Sequence, residues 1–336
     1  MRSRTPRVAA GARRPAVRIP WLLLAALSTA CTPRSALERG TAPVRGPAAA
    51  VPTAAAGDRP GAVRPPAPEA EPWAGFARTM LDLVNRDRAA AGLAPVADDP
   101  GARAFAAAEA RRLVAEGFGH VAADGSKPYG RWSRDGRSGH VRENLFRQGG
   151  GRLRSYRLFD PAAAHARLMR SSGHRATILD PAHTGAGVAV IWDRSRDAVY
   201  VVQEFVTLRV AADAGPRALR PGEPRVLEGR VLEPAAFRPA AVTLHREPPP
   251  GSRAARRAAR GGSYSEGGGE PVLARGRDAF TAAPGAGAFR LAWRAPDPLT
   301  PGAYTLFLFL EPVGADARTR AAEPFVAAAF TYEAAR

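Results

Sequence analysis

The chain has 336 residues, with 34 glycines and 32 prolines spread unevenly along it. This length and composition predict about two domains with unstructured segments and argue against a single compact core. The formal net charge is +18, and Lys127 is the only lysine, so the positive charge comes almost entirely from arginine. Two interpretations stay open: arginine favours anionic partners through bidentate contacts, or the bias reflects codon usage.

Residues 1–31 have the parts of an export signal. Six arginines between Arg2 and Arg18 precede a short apolar run, and small residues come directly before Cys31. These features are typical of a secretory signal peptide, and the run is too short to span a bilayer stably. Because Cys31 follows Leu-Ser-Thr-Ala, the site also resembles the lipobox of bacterial lipoproteins, in which that cysteine is acylated. Ordinary signal cleavage is the alternative.

The expected location is extracytoplasmic. Threonine rather than aspartate follows Cys31, which favours the outer membrane or cell surface for a lipoprotein; without lipidation the protein would be periplasmic or secreted. Cys31 is the only cysteine, so no intramolecular disulfide can form. Residues 32–72 are rich in Ala, Pro, Gly and Arg with almost no large apolar side chains, which predicts a disordered tether.

Order is predicted to begin at Trp73, in a domain that spans 73–210. The spacing of apolar residues and the positions of capping residues predict three helices: from Trp73 to a stop at Gly92, from Pro100 to Glu116, and from Pro161 to about Arg170. Two β-branched runs at 188–192 and 198–206 predict an antiparallel hairpin. Helices followed by a hairpin indicate an α+β domain.

Residues 217–336 are predicted to form a small all-β, sandwich-like domain. Five short runs rich in β-branched and aromatic residues are separated by Pro, Gly and Asp. The polar segment 247–270 is too long for an ordered turn and is predicted to be a mobile loop. No catalytic cluster is evident here, so binding of a partner or glycan and simple spacing both stay open.

Four short patches carry the candidate functional residues: EGFGH ending at His120, REN at 142–144, SSGHRATIL at 171–179, and TGAGVAV at 184–190. With Asn85, Arg88 and the Gly-Leu-Ala-Pro turn at 92–95, their order and spacing resemble the CAP superfamily. This superfamily comprises cysteine-rich secretory proteins, antigen 5 and pathogenesis-related 1 proteins. The chain looks most like the bacterial branch without disulfides, and the resemblance covers about 73–208.

The resemblance implies a three-layer α-β-α sandwich with a cleft that holds two histidines and two acids. Carried over to this sequence, the cleft histidines are His120 and His174, and the first acid is Glu143. Ser171 stands at the position of the second acid, so it joins the expected ligand-binding set in place of a carboxylate. Asn144 is expected to support a turn rather than to bind a ligand.

Two imidazoles and one carboxylate could hold a zinc ion in an open site, with His120, His174 and Glu143 as ligands. The alternatives are plain: a histidine after a helix is often a solvated cap, and Glu143 could simply hold backbone amides. Replacement of the second acid by Ser171 removes the obvious general base, so the sequence leans against hydrolysis. HExxH, GxSxG and phosphate-loop motifs are missing from the sequence.

The charge near these patches gives a further hint. Over 131–175 there are eleven arginines against three acidic residues, a local excess of +8. This favours an anionic lipid or envelope polymer as a partner, with a solvated arginine-rich loop as the alternative; nucleic acid is not expected. Three function classes stay open: an exported binding protein for a small ligand, lipid or envelope component, a metal-dependent hydrolase, and a structural or interaction protein that recognises partners through its β-domain.

Overall fold

The computed structural model describes residues 73–149, 158–252, 264, 266, 270–313 and 323–335. The predicted signal peptide and lipobox at 1–31 and the predicted tether at 32–72 lie outside these residues. All described residues fall within one compact unit of the chain. Among them, no helix combines the length and apolar character that crossing a membrane requires.

The N-terminal part of the described chain has five helices and a four-stranded sheet. The helices are α1 (Trp73–Ala90), α2 (Pro100–Glu116), α3 (Pro128–Arg134), α4 (Pro161–Arg170) and α5 (Ser172–Ile178). The strands are β1 (Ala97–Asp98), β2 (His140–Gly149), β3 (Gly185–Asp193) and β4 (Ala198–Thr207), in the spatial order β1-β3-β4-β2. The three predicted helices and the hairpin are confirmed, and α3, α5, β1 and β2 are additional elements.

Strand β4 is buried along its whole length, and its alternate side chains contact different helices. Val199, Val201 and Phe205 pack in a cluster with residues of α1 and α4. Tyr200 and Val202 pack in another cluster, with residues of α2. Because successive side chains of a strand point to opposite faces, helices contact both faces of the sheet. The α+β class predicted for this part of the chain is confirmed.

Local sequence signals at the two ends of α2 determine where His120 lies. At the start, Asp99 Oδ1 accepts the backbone N–H of Ala102 at 2.7 Å, the hydrogen bond of an N-cap. At the end, Gly117 has φ of 110°, a conformation that L side chains rarely adopt, and its N–H donates to Leu113 O. The chain therefore leaves the helix axis at Gly117 and reaches His120 three residues later.

The side chain of Arg88 in α1 is buried and connects three backbone segments; the residue is only 1% exposed. Its guanidinium donates to three carbonyl oxygens, those of Ala94, Ile178 and Asp180, at 2.8–3.0 Å. Asn85, one turn earlier, exchanges two hydrogen bonds with the backbone of Val96. The pair fastens the turn after α1 and the end of α5 to α1, and this holds α5 in place beside the sheet.

The C-terminal part of the described chain is all-β apart from one 3-10 turn, which agrees with the class predicted for 217–336. One sheet has the order β10-β11-β7-β5 and the other β6-β13-β12-β8-β9. The strands are β5 (Val210–Asp213), β6 (Ala218–Leu219), β7 (Pro224–Val231), β8 (Phe237–Arg246), β9 (Leu273–Arg275), β10 (Phe280–Ala282), β11 (Ala288–Arg294), β12 (Gly302–Pro312) and β13 (Phe325–Ala334). All five predicted strands are present.

The two parts share a hydrophobic cluster. Phe307 of β12 and Ala329 of β13 pack with Tyr129 and Trp132 of α3, and the rings of Tyr129 and Phe307 meet edge to face at 5.1 Å. Polar contacts accompany the cluster, since Ser133 Oγ accepts the N–H of Thr331 at 2.8 Å. The β-rich part is therefore packed directly against the helix that follows His120.

Gly187 of β3 marks the closest approach of α2 to the sheet. A Cβ at this position would lie 2.1 Å from the backbone N of Arg103 and 2.2 Å from the backbone C of Ala102. Backbone atoms cannot swing aside as a side chain can, so only glycine fits. The Gly-Ala-Gly pattern at 185–187 thus serves helix packing.

We predict that Gly187→Ala destabilises the fold by about 3 kcal/mol, because the added methyl group forces α2 away from β3. Thermal unfolding followed by circular dichroism measures the change. Gly75→Ala is the matched control: Gly75 lies in α1 with open space around it, and the same substitution should stabilise the helix by about 0.5–1 kcal/mol. An unchanged melting temperature for Gly187→Ala would contradict the packing argument.

Candidate functional site

A cavity of about 550 Å³, called the cleft from here on, lies at the edge strand β2. Its walls come from β2, from the start of α5, from the loop after α2 and from the C-terminal part of the chain. The lining residues are His120, Arg142, Glu143, Asn144, Ser171, Ser172, Gly173, His174, Ala176, Thr177, Tyr264 and Glu266. The structure thus brings the four predicted cleft residues, His120, Glu143, Ser171 and His174, around one cavity. What each of them binds stays a prediction.

His120 and Glu143 form a buried hydrogen-bonded pair. Nδ1 of His120 lies 2.7 Å from Oε1 of Glu143, so the imidazole N–H donates to the carboxylate. The two residues are 6% and 4% exposed. Arg131 of α3 donates to the backbone oxygen of His120 at 3.2 Å and pairs with Glu109 of α2 at 2.7 Å. His120 is therefore held through both its ring and its backbone.

Glu204 of β4 is a second carboxyl group behind Glu143, and sequence reasoning missed it. It lies directly across from Glu143 in the β2–β4 pairing and is fully buried. Burial, and then the negative charges of Glu143 and Glu109, raise the pKa of Glu204 well above its ordinary 4.5. Neither of its oxygens has a hydrogen-bond partner among the described residues, so the ionised form would lack that stabilisation. A glutamate inside the apolar run of β4 is the signal that could have revealed it.

His174 lies in α5 on the other side of β2. Burial lowers the pKa of His174, and the neighbouring His120 lowers it further, which favours a neutral ring at neutral pH. Asn144 Nδ2 donates to the backbone oxygen of His174 at 3.1 Å and lies 3.3 Å from Oε1 of Gln203. Asn144 thus links β2 to the backbone of α5, and its role as structural support stays a prediction. Ser171, between α4 and α5, lines the cleft, and its side chain makes no capping hydrogen bond.

Tyr264 and Glu266 also line the cleft. They belong to the segment 247–270 that was predicted to be a mobile loop, of which 253–263, 265 and 267–269 lie outside the described residues. The hydroxyl oxygen of Tyr264 accepts the backbone N–H of Glu143 at 3.0 Å, and its ring lies 5.1 Å from the ring of His120. Oε1 of Glu266 lies 3.1 Å from Nε of Arg142 and 3.3 Å from Nε2 of His140. Sequence reasoning placed no functional residue here. The signal was a tyrosine and a glutamate set among glycines and serines.

Part of the arginine excess around the cleft is used internally. Arg131 is paired with Glu109, and Arg142 contacts Asp180 as well as Glu266. Other arginines of the same stretch, Arg167, Arg170 and Arg175, are exposed on α4 and α5. The surface charge that could meet an anionic partner is thus smaller than the sequence suggests.

The expected zinc ligands share the cleft without forming a ligand set. Across the described residues, no group of three or more His, Cys, Asp or Glu side chains could hold a metal ion. In the observed arrangement Oε1 of Glu143 lies 2.7 Å from Nδ1 of His120, and Oε2 of Glu143 has no hydrogen-bond partner among the described residues. Zinc binding by His120, His174 and Glu143 stays a prediction.

A class of protein follows from these features: an α+β domain whose sheet has helices on both faces and a polar cleft at one edge strand. Residues 81–205 match the family model for CAP, the cysteine-rich secretory protein family. This part of the chain is therefore a CAP domain, as the sequence motifs indicated. No curated protein matches the chain.

Three solved bacterial structures are similar to part of the chain. An extracellular SCP-domain protein from Bacillus anthracis is 23% identical, with a TM-score of 0.34 over 40% of this chain and 41% of that one. An outer surface protein from Borrelia burgdorferi is 14% identical, with a TM-score of 0.34 over 40% and 92%. A cysteine-rich secretory protein from Staphylococcus aureus is 16% identical, with a TM-score of 0.31 over 41% and 40%. This chain thus spans about two fifths of the Bacillus and Staphylococcus proteins.

We predict that Glu204→Gln stabilises the protein increasingly as the pH rises. The raised pKa keeps Glu204 protonated in the folded state, whereas the unfolded chain releases this proton above about pH 4.5. The contribution of Glu204 to wild-type stability therefore falls with rising pH by about 1.4 kcal/mol per unit until the folded-state pKa is reached. The glutamine has no such proton to lose.

Urea unfolding at pH 4, 6 and 8 tests this prediction. The difference between Glu204→Gln and wild type should be small at pH 4 and grow toward pH 8. The exposed Glu228, paired on the surface with Arg290, provides the control Glu228→Gln, which should show no such trend. A constant difference across the three pH values would mean that Glu204 is ionised in the folded state.

Proposed function

We propose that the protein is an exported CAP-domain protein that binds a small hydrophilic ligand of the cell envelope in the cleft. The observation that carries this proposal is the lining of the cavity. Hydroxyl, amide, imidazole, guanidinium and carboxylate groups line it, and its apolar surface comes from Gly173, Ala176 and the ring of Tyr264. Such a surface suits a ligand rich in hydroxyl and amide groups, as glycans and short peptides are.

An acyl chain suits the cleft less well. A lipid tail gains affinity by leaving water for an apolar wall, and it would leave the polar groups of this cavity without partners. Ser171 and Ser172 instead offer hydroxyls that can both donate and accept, and the Thr177 hydroxyl, which donates to Gly173 O at 3.3 Å, can still accept. The neutral ring of His174 adds one donor and one acceptor. We therefore favour a wall fragment over a lipid as the bound species.

Binding of soluble muropeptides tests the proposal. We expect the mature chain to bind a mutanolysin digest of peptidoglycan in a calorimetric titration, and His174→Ala to weaken binding about tenfold, or about 1.4 kcal/mol. His245→Ala is the matched control, because His245 is a half-buried histidine of β8 outside the cleft. It should bind as the wild type does.

Other results would favour the other function classes. Equal binding by wild type and His174→Ala would contradict a cleft site, as would binding of oleate in place of the digest. Turnover of the muropeptides that a chelator abolishes would favour the metal-dependent hydrolase. Salt-sensitive binding to anionic vesicles with no response to muropeptides would favour the exposed arginines as the interaction surface.

We also propose that the protein is lipid-anchored at Cys31. The support is the basic segment, the short apolar run and the single cysteine of the chain, which stands directly after the expected cleavage point. We predict that radiolabelled palmitate is incorporated into the wild type and lost in Cys31→Ala. Labelling of both proteins, or of neither, would contradict the anchor and leave ordinary signal cleavage.

The finer architecture is part of the same proposal. Hydrophobic clusters on both faces of the first sheet support a three-layer α-β-α arrangement for the CAP domain. Both C-terminal sheets contribute to a single cluster, which supports a sandwich-like β-domain. On this view the β-domain is a rigid neighbour of the cleft rather than a separate module on a linker.

A further inference from the structure

The cleft is lined by more than the CAP domain. The segment that leads to Tyr264 is fixed to the CAP domain at its start, where Glu247 accepts from the hydroxyl of Tyr129 and pairs with Lys127, both at 3.0 Å. At its far end, Val272 N–H donates to Leu244 O in the β-domain at 2.8 Å. Between these two contacts, the described residues Tyr264 and Glu266 of the C-terminal part line the cleft.

Tyr264 covers the open edge of β2 at the centre of the cleft. Because β2 pairs only with β4, the N–H of Glu143 on its free side has no partner within the sheet. The hydroxyl oxygen of Tyr264 accepts this N–H, and the hydroxyl keeps its own proton for donation. The ring, half-buried against His120 and Tyr129, gives the cleft a flat aromatic surface.

Glu266 brings a carboxylate to a cleft that lacks its second acid within the CAP domain. Both of its observed contacts, to Arg142 and His140, use Oε1. The second oxygen of a carboxylate carries its own lone pairs, which can accept from a ligand. Burial lowers the pKa of His140, so a neutral imidazole faces Glu266 and Arg142 is its cationic partner.

We propose that Tyr264 and Glu266 are ligand-contacting residues, so that the binding site is built jointly by the CAP domain and the C-terminal domain. Glu266 supplies the second cleft carboxylate, in place of the acid that the family pattern has at the position of Ser171. This inference rests on the proposed function and narrows the chemical class of the ligand. The ligand presents a hydroxyl, amide or ammonium donor to Glu266 and a flat face, such as a sugar ring, to Tyr264.

The test is a titration of the mature chain and three single variants with the same mutanolysin digest. We expect Glu266→Gln to weaken binding about tenfold, because a neutral amide is a poorer acceptor than a carboxylate. Tyr264→Phe should weaken it about threefold through loss of the hydroxyl. Glu270→Gln is the matched control, since Glu270 is an exposed glutamate in the same segment, and it should bind as the wild type does.

A second measurement distinguishes a variant that fails to fold from a folded variant that has lost a contact with the ligand. Each variant is compared with the wild type by melting temperature and by its backbone amide NMR spectrum. In that spectrum, Tyr264→Phe should shift the signal of the Glu143 amide. Folded Glu266→Gln and Tyr264→Phe variants that bind within twofold of the wild type would overturn the inference. If His174→Ala alone weakens binding, the CAP cleft stands and the joint site does not; if the wild type binds no muropeptide, both proposals fall.

Discussion

The free edge of β2 is the constraint on which the site depends. Successive residues of a strand point to opposite faces, so Glu143 faces the α2 side of the sheet and Asn144 the α5 side. Only at an edge can groups from the two helical layers meet without the sheet between them. His120, from the loop after α2, and His174, from α5, therefore converge at β2 and at no interior strand. The same edge leaves backbone groups unpaired, and a residue from outside the domain, Tyr264, covers one of them.

Holding polar groups at this edge requires a network of buried charges. Glu143, Glu109 and Arg131 are largely withdrawn from water, and an unpaired charge in such a place would cost several kcal/mol. Each has a partner: Glu143 has the His120 ring, and Glu109 has Arg131 and Arg112. Glu204 avoids the cost by keeping its proton. The network thus holds the His120 ring from behind.

Much of the CAP part could be predicted because its signals are local. The spacing of apolar residues and the positions of capping residues predicted α1, α2 and α4, and in the structure Asp99 caps the start of α2 and Gly117 its end. The motif positions placed His120, Glu143, Ser171 and His174 around one cavity. The helix α3 was missed because it is short, and β2 because its arginines and polar residues hide the alternation expected of a strand. A strand at a functional edge is buried by contacts that are not local in sequence.

The contribution of the β-domain could not be predicted for a related reason. Glycine-rich and serine-rich surroundings indicate a polar loop, and nothing in that composition shows that Tyr264 and Glu266 contact the CAP domain. The contacts of Tyr264 and Glu266 span more than a hundred residues of sequence. Counting acids within the CAP domain alone therefore found one carboxylate, whereas the folded chain brings a second into the cleft.

The most direct test of this account is a crystal structure of the mature chain with muropeptides bound. The account predicts ligand density in the cleft, in contact with His174 on one side and with Tyr264 or Glu266 on the other. Density on the exposed arginines of α4 and α5 or on the β-domain, with the cleft holding no ligand, would contradict it.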